Sequence, residues 1–187
     1  MTDIILVFKA LQFAAERHRH QFRKGEEKVP YINHPIGVAS LLAQNGENDP
    51  VLLSAAILHD VIEDTVEDEK EKQDLIEEIK KNFGEEVLLL TLEVTDDKSL
   101  AKEERKKRQV IDAPSKSVKA KKLRIADKIT NLRDIYNDPP TWWNRQRIIE
   151  YHNWAEEVVA GLRGVNEGLE KTFDEVLQAG RSRYQKR

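Results

Sequence analysis

Apolar residues recur every three to four positions along most of the chain, and strict alternation is rare, so helices dominate the expected structure. Residues 3–21 carry an apolar stripe through Ile4, Val7, Leu11 and Ala14, with Thr2 or Asp3 as the cap. The segment 23–35, RKGEEKVPYINHP, reads as a loop with a short hairpin-like portion near residues 22–32. Pro35 suits the first position of the next helix, which places His34 at its mouth and ends near Asn45-Gly46. Asp49-Pro50 is a cap and first turn for a helix that carries AAILHDVIEDT, residues 55–65. A charged stretch, 66–74, leads into a helix ending at Gly84, and another helix covers 85–94. A polar, basic segment follows to about 119. Residues 120–136 are helical, Pro139-Pro140 break the chain, and a long final helix starts near Thr141. The expected fold is all-α, one compact helical bundle over 1–187 with its core in 3–170 and a C-terminal helix and tail at 171–187.

Composition narrows the picture. Charged residues make up 35% of the 187 and apolar residues 39%, as in a helix-rich protein with solvated faces. A net charge of −3 gives no overall attraction for nucleic acid or membrane. No apolar run approaches the roughly 18 residues that a membrane span needs. The N-terminus lacks the marks of a signal peptide, and no Gly-rich phosphate loop or repeat is present. The absence of cysteine excludes disulfides, thiol nucleophiles and thiolate zinc sites, and it fits a cytoplasmic setting. The basic-acidic stretch 98–124 reads as a solvated helix face, with phosphate-facing lysines and arginines as the alternative.

The segment 55–65 is chemically unusual. At about 100° per residue, His59, Asp60, Glu63 and Asp64 share an arc of roughly 140°, while Ile57, Leu58, Val61 and Ile62 take the other side. Like charges this close repel unless a cation sits among them. One helix cannot enclose a metal, so further ligands are sought among His18, His20, His34, His152 and distant carboxylates. LRIADKITNLRDI, residues 123–135, offers Asp127, Thr130, Asn131 and Asp134 on one polar face, opposite Leu123, Ile125, Ile129 and Leu132.

The order His34, His59-Asp60, Asp127 resembles the H…HD…D pattern of HD-domain metal phosphohydrolases. The segments RK…PYINHP, AAILHDVIEDT, FGEEV, EVTDDK, ADKITNLRDI and WWNRQRIIEYHNWAEEVVAGLRG resemble, in order, the hydrolase domain of the Rel/SpoT alarmone enzymes. The similarity runs from about residue 6 to 170 and is greatest to the stand-alone small alarmone hydrolases. It leaves no room for a synthetase domain. The resemblance implies Mn²⁺-dependent hydrolysis of the 3′-pyrophosphate of ppGpp or pppGpp to GDP or GTP and pyrophosphate, as in the stringent response. It implies that His34, His59, Asp60 and Asp127 bind the metal and that Glu63 and Asp64 act on the water. Two imidazoles and two carboxylates suit Mn²⁺. By the same resemblance, Arg23 stacks on the base, Lys24 lies near phosphate, Asn131 touches the purine, and Arg147 and Tyr151 face the nucleotide. Tyr31 shapes the pocket, and Lys98 and Arg105 are further phosphate candidates.

Gly25 and Ile129-Thr130 depart from the family pattern, which implies a more mobile loop and a wider base pocket. His18 reads as structural. His20 and His152 read as surface residues, and the three tryptophans as packing residues. Two other activities share these residues: a phosphatase acting on another nucleotide, such as NADPH at its 2′-phosphate, and a nucleotide-binding protein without turnover. An intact Glu63-Asp64 pair argues against the latter, because binding alone needs no groups to activate water. Oligomeric state is not legible.

Overall fold

The computed structural model describes residues 3–185, so Thr2 lies outside the described residues. The described residues contain ten α-helices, a short 3₁₀ turn and no β-strand. They fall into two compact units, Met1–Gln21 with Pro30–Ser99 and Phe22–Val29 with Leu100–Arg187.

The first unit holds α1 (Asp3–Arg17), α2 (Asn33–Gln44), α3 (Pro50–Leu58), α4 (Val61–Asp64), α5 (Glu69–Phe83) and α6 (Glu85–Val94). Helix α3 is apolar on every side, so burial on all sides is its stable solution. It packs against α1, α2 and α6, and Leu52, Ala55, Ala56, Ile57 and Leu58 are buried. Asp49 starts it as expected, its carboxylate accepting Val51 N–H at 2.9 Å. Helix α1 ends at Arg17, four residues early, and α2 begins at Asn33, so His34 lies within the first turn.

The expected single helix through residues 55–65 is instead two. α3 stops at Leu58, and α4 resumes at Val61 for one turn. His59 Nδ1–H donates to Ala56 C=O at 2.8 Å, the acceptor that an unbroken helix gives to Asp60 N–H. Asp60 sits at φ −94°, ψ −9°, in the bridge region. The break places His59-Asp60 at a corner rather than on a cylinder face.

The second unit holds α7 (Lys102–Asp112), a 3₁₀ turn (Ala113–Ser115), α8 (Val118–Asn137), α9 (Arg145–Ala160) and α10 (Glu167–Gln185). Helix α7 buries none of its side chains, in keeping with a solvated face. The long final helix expected from Thr141 is two helices, α9 and α10. At the turn between them, Glu170 accepts the N–H groups of Gly164, Val165 and Asn166 at 2.8, 3.0 and 3.3 Å. That carboxylate ties down the turn ahead of α10, while Asn166 Oδ1 caps the helix by accepting Leu169 N–H at 3.0 Å.

His152, expected at the surface, is 1% exposed. Its Nδ1–H donates to Ile148 C=O at 2.6 Å, and burial holds its pKa below the ordinary value. A Cβ on Gly180 would lie 2.2 Å from His152 Nε2, so α10 passes the ring only as glycine. Gly180→Ala is expected to cost about 1–3 kcal/mol by overpacking. That lowers the melting midpoint by about 2–4 °C per kcal/mol for a chain of this size. A melting curve equal to wild type would contradict it.

The loop 22–29 is closed by Arg23 N–H donating to Val29 C=O at 2.8 Å, consistent with the hairpin-like segment expected there. The glycine in it does not loosen it as expected. A Cβ on Gly25 would fall 1.8 Å from Asp138 Oδ2. The space is taken by the Asp138 carboxylate, which accepts Glu26 N–H at 2.9 Å and Glu27 N–H at 3.1 Å. Gly25 therefore lets the end of α8 grip the loop.

Candidate active site

In the first unit, Asp60 is the hub. Its carboxylate lies 3.2 Å from His59 Nε2, 3.6 Å from His34 Nε2 and 2.7 Å from the Tyr31 hydroxyl. The rings of His34 and His59 are 5.3 Å apart, and both are buried. Neutral His59 spends its proton on Ala56 C=O, so Nε2 presents a lone pair. An acceptor nitrogen facing a carboxylate oxygen at 3.2 Å is unfavourable unless a cation or a proton lies near both. The donor chemistry of His34, His59 and Asp60 therefore fits a divalent metal.

One turn on, the acidic pair divides into two environments. Asp64 accepts from Lys98 Nζ at 2.5 Å and lies 3.0 Å from the Tyr31 hydroxyl, whose single hydrogen is shared between Asp60 and Asp64. Its backbone C=O accepts from Gln21 Nε2 at 2.5 Å. Glu63 instead has Asp96 N–H at 3.2 Å. Burial first, and then the charges of Asp96, Asp64 and Asp60, push its pKa up to about 7. A carboxylate raised to about 7 can take up and release a proton near neutrality, as acid–base chemistry requires.

His18 is buried behind Tyr31, with ring centroids 4.8 Å apart, and its Nδ1 lies 2.6 Å from Gln21 Oε1. The desolvation that lowers its pKa suits a neutral packing residue. His20 is exposed.

In the second unit, Asp127 is buried on α8. Lys128 Nζ donates to its Oδ2 at 3.0 Å, and Asn131 Nδ2 donates to its Oδ1 at 2.6 Å. Arg23 does not project freely from its loop. Its Nε donates to Asp134 Oδ2 at 2.7 Å and its Nη2 to Asn131 Oδ1 at 2.6 Å. The polar face of α8 supplies a carboxylate and an amide for it. Lys24 is exposed.

On α9, Tyr151 lies between Trp143 and Trp154, with centroids 5.5 and 5.2 Å away. Arg147 lies over Trp143 at 4.6 Å, and Trp154 receives Lys106 at 5.0 Å and Lys128 at 4.7 Å. The tryptophan at 142 is 62% exposed, so packing does not describe all three. Arg105 is half-buried on α7. Sequence reasoning missed Lys102, whose pKa is lowered by desolvation and by the charges of Arg147, Lys106 and Lys24. It also missed Lys128, although a lysine inside an apolar helix beside Asp127 was a signal in plain view.

A family model described as HD domain matches residues 10–151. A Xenopus tropicalis protein named guanosine-3′,5′-bis(diphosphate) 3′-pyrophosphohydrolase MESH1 is 48% identical over 177 residues, covering 94% of this chain and 95% of the relative. This chain belongs to the MESH1 branch of the HD-domain family. The human MESH1 is 45% identical over 173 residues, covering 92% of this chain and 93% of that one. A solved structure, described as a metazoan ortholog of SpoT that hydrolyzes ppGpp, superposes with a TM-score of 0.86 at 42% identity, covering 92% and 94% of the two chains. For an HD-domain hydrolase of the MESH1 kind a divalent metal is implied, and the His34–His59–Asp60 cluster is chemically suited to it. No helix among the described residues is long and apolar enough to cross a membrane.

Proposed function

We propose that the chain is a guanosine-3′,5′-bis(diphosphate) 3′-pyrophosphohydrolase, acting on ppGpp and pppGpp in the cytoplasm. The observation that carries this reading is the corner where His34 and His59 meet Asp60, with Glu63 poised near neutrality one turn away. The relatives' names and their near-complete overlap with this chain support the same activity.

In this reading His34, His59, Asp60 and Asp127 hold Mn²⁺. When bound, the ion supplies Lewis-acid polarisation and a more acidic water. Glu63 accepts a proton from the attacking water. Asp64, fixed by Lys98 and Tyr31, orients that water. A new P–O bond forms at the phosphorus on the 3′ oxygen, and the bond from phosphorus to that oxygen breaks. The 3′ oxygen leaves with a proton, giving pyrophosphate and GDP or GTP. Arg23, Lys24, Tyr31, Lys98, Arg105, Asn131, Arg147 and Tyr151 bind the nucleotide. The cations at Lys24, Lys102, Lys106 and Arg147 repel one another unless an anion lies among them, which suits a polyphosphate.

Purified protein incubated with Mn²⁺ and ppGpp is expected to release pyrophosphate, and chelation is expected to stop it. Orthophosphate from NADPH, with no pyrophosphate from ppGpp, would transfer the assignment to a nucleotide 2′-phosphatase. No product from either substrate would leave a binding protein.

A further inference from the structure

Four α8 residues, Asp127, Lys128, Asn131 and Asp134, and the loop residue Arg23 form one hydrogen-bonded chain. Asp134 accepts from Arg23, Arg23 donates to Asn131, Asn131 donates to Asp127, and Lys128 takes the other oxygen of Asp127. The amide of Asn131 can stand only one way round. Its oxygen faces a guanidinium, which has no acceptor, and its nitrogen faces a carboxylate, which has no donor. Flipping the amide would set donor against donor and acceptor against acceptor. Asn131 and Asp127 are one turn apart on the same helix, so the contact needs no further backbone adjustment. Both oxygens of Asp127 receive a donor, Oδ1 from Asn131 and Oδ2 from Lys128, which fixes the plane of the carboxylate.

We infer that Asn131 is a positioning residue for Asp127, and that through its amide the Arg23 loop is coupled to the metal centre. This rests on the reading of Asp127 as a metal ligand. It gives Asn131 a function in the protein free of nucleotide, which contact with a purine does not. The partners of a ligating group tune metal affinity by orienting it, and their loss costs about 10- to 100-fold. By linkage, whatever holds Arg23 in place also favours the metal, and the metal favours the arrangement of the loop to the same extent.

The test is calorimetric titration of nucleotide-free protein with Mn²⁺ alone, beside melting curves, for wild type, Asn131→Ala, Arg23→Ala and Asp127→Asn. Asn131→Ala is expected to weaken Mn²⁺ binding by about 10- to 100-fold. Arg23→Ala is expected to weaken it less, by about threefold or more, because the amide keeps Asp127 but loses its anchor. Wild-type Mn²⁺ affinity in Asn131→Ala, with affinity lost in Asp127→Asn, would overturn the inference and leave Asn131 as a nucleotide contact. Wild-type affinity in Asp127→Asn would remove Asp127 from the ligands and the inference with it, while pyrophosphate release still judges the hydrolase reading separately. If Asn131→Ala does not fold, Arg23→Ala decides, and an unchanged affinity there overturns the coupling.

Discussion

Asp60→Asn is expected to lower kcat/KM by about 10³-fold or more, since metal-assisted charge stabilisation supplies several kcal/mol. The substitution keeps shape and removes charge. His59 Nε2 and His34 Nε2 would still face the side chain, but a neutral amide cannot neutralise a dication between two imidazoles. The Tyr31 hydroxyl, 2.7 Å away, keeps Asp64 Oδ2 at 3.0 Å as an acceptor, so its partner survives the substitution. A second readout separates metal loss from misfolding. Mn²⁺ should raise the melting midpoint of the wild type by mass action on the folded state and should do so much less in the variant. Equal Mn²⁺-dependent shifts in the two proteins would place Asp60 outside the ligand set.

Glu63→Gln is expected to cut kcat by about 10²- to 10⁴-fold, the range of a positioned general base. Its effect on stability should have the opposite sign. In the metal-free fold Glu63 keeps its proton to about pH 7, whereas in the unfolded chain it releases it near 4.5, the ordinary value for a glutamate. The folded state binds the extra proton between those values, so stability falls as pH rises through that window. The full penalty is present above about pH 7, on the order of 3 kcal/mol at 1.36 kcal/mol per unit. Glutamine never ionises. Metal-free Glu63→Gln should therefore melt several degrees above wild type at pH 8 and level with it below pH 4.5. A bound dication favours the carboxylate, so the acid limb of wild-type activity should have its midpoint at or below pH 7. Wild-type kcat in the variant would reassign the base to Asp64, and no melting difference at pH 8 would contradict the raised pKa of Glu63.

Helical periodicity carried much of the fold into view: α6 spans the expected residues, and α5 stops at the expected Gly84. What it missed were breaks made by side chains. The His59 imidazole interrupts one helix, and the Glu170 carboxylate holds the turn that separates α9 from α10. Period counting has no access to either, because each depends on where one polar atom points. The site was legible to the same depth. His59-Asp60 and Asp127 stood out as polar groups in apolar helices, which burial makes costly without partners. The partners of Arg23 did not stand out, because a loop of charged residues looks the same whether its side chains face water or a carboxylate 111 residues away. His152 was misplaced for a related reason: its neighbour Gly180 offers only empty volume, which has no sequence signature of its own.

The grip of Asp138 on the Gly25 loop also orders events in time. Glu26 N–H finds its acceptor 112 residues further along the chain. A ribosome releases the loop early and its anchor late, so through most of synthesis the loop has nothing to close on. Its arrangement therefore waits for the end of α8, whatever the first unit has already built. Protease sensitivity of stalled nascent chains should show it: cleavage near Lys24 persisting until Asp138 clears the exit tunnel, then falling away.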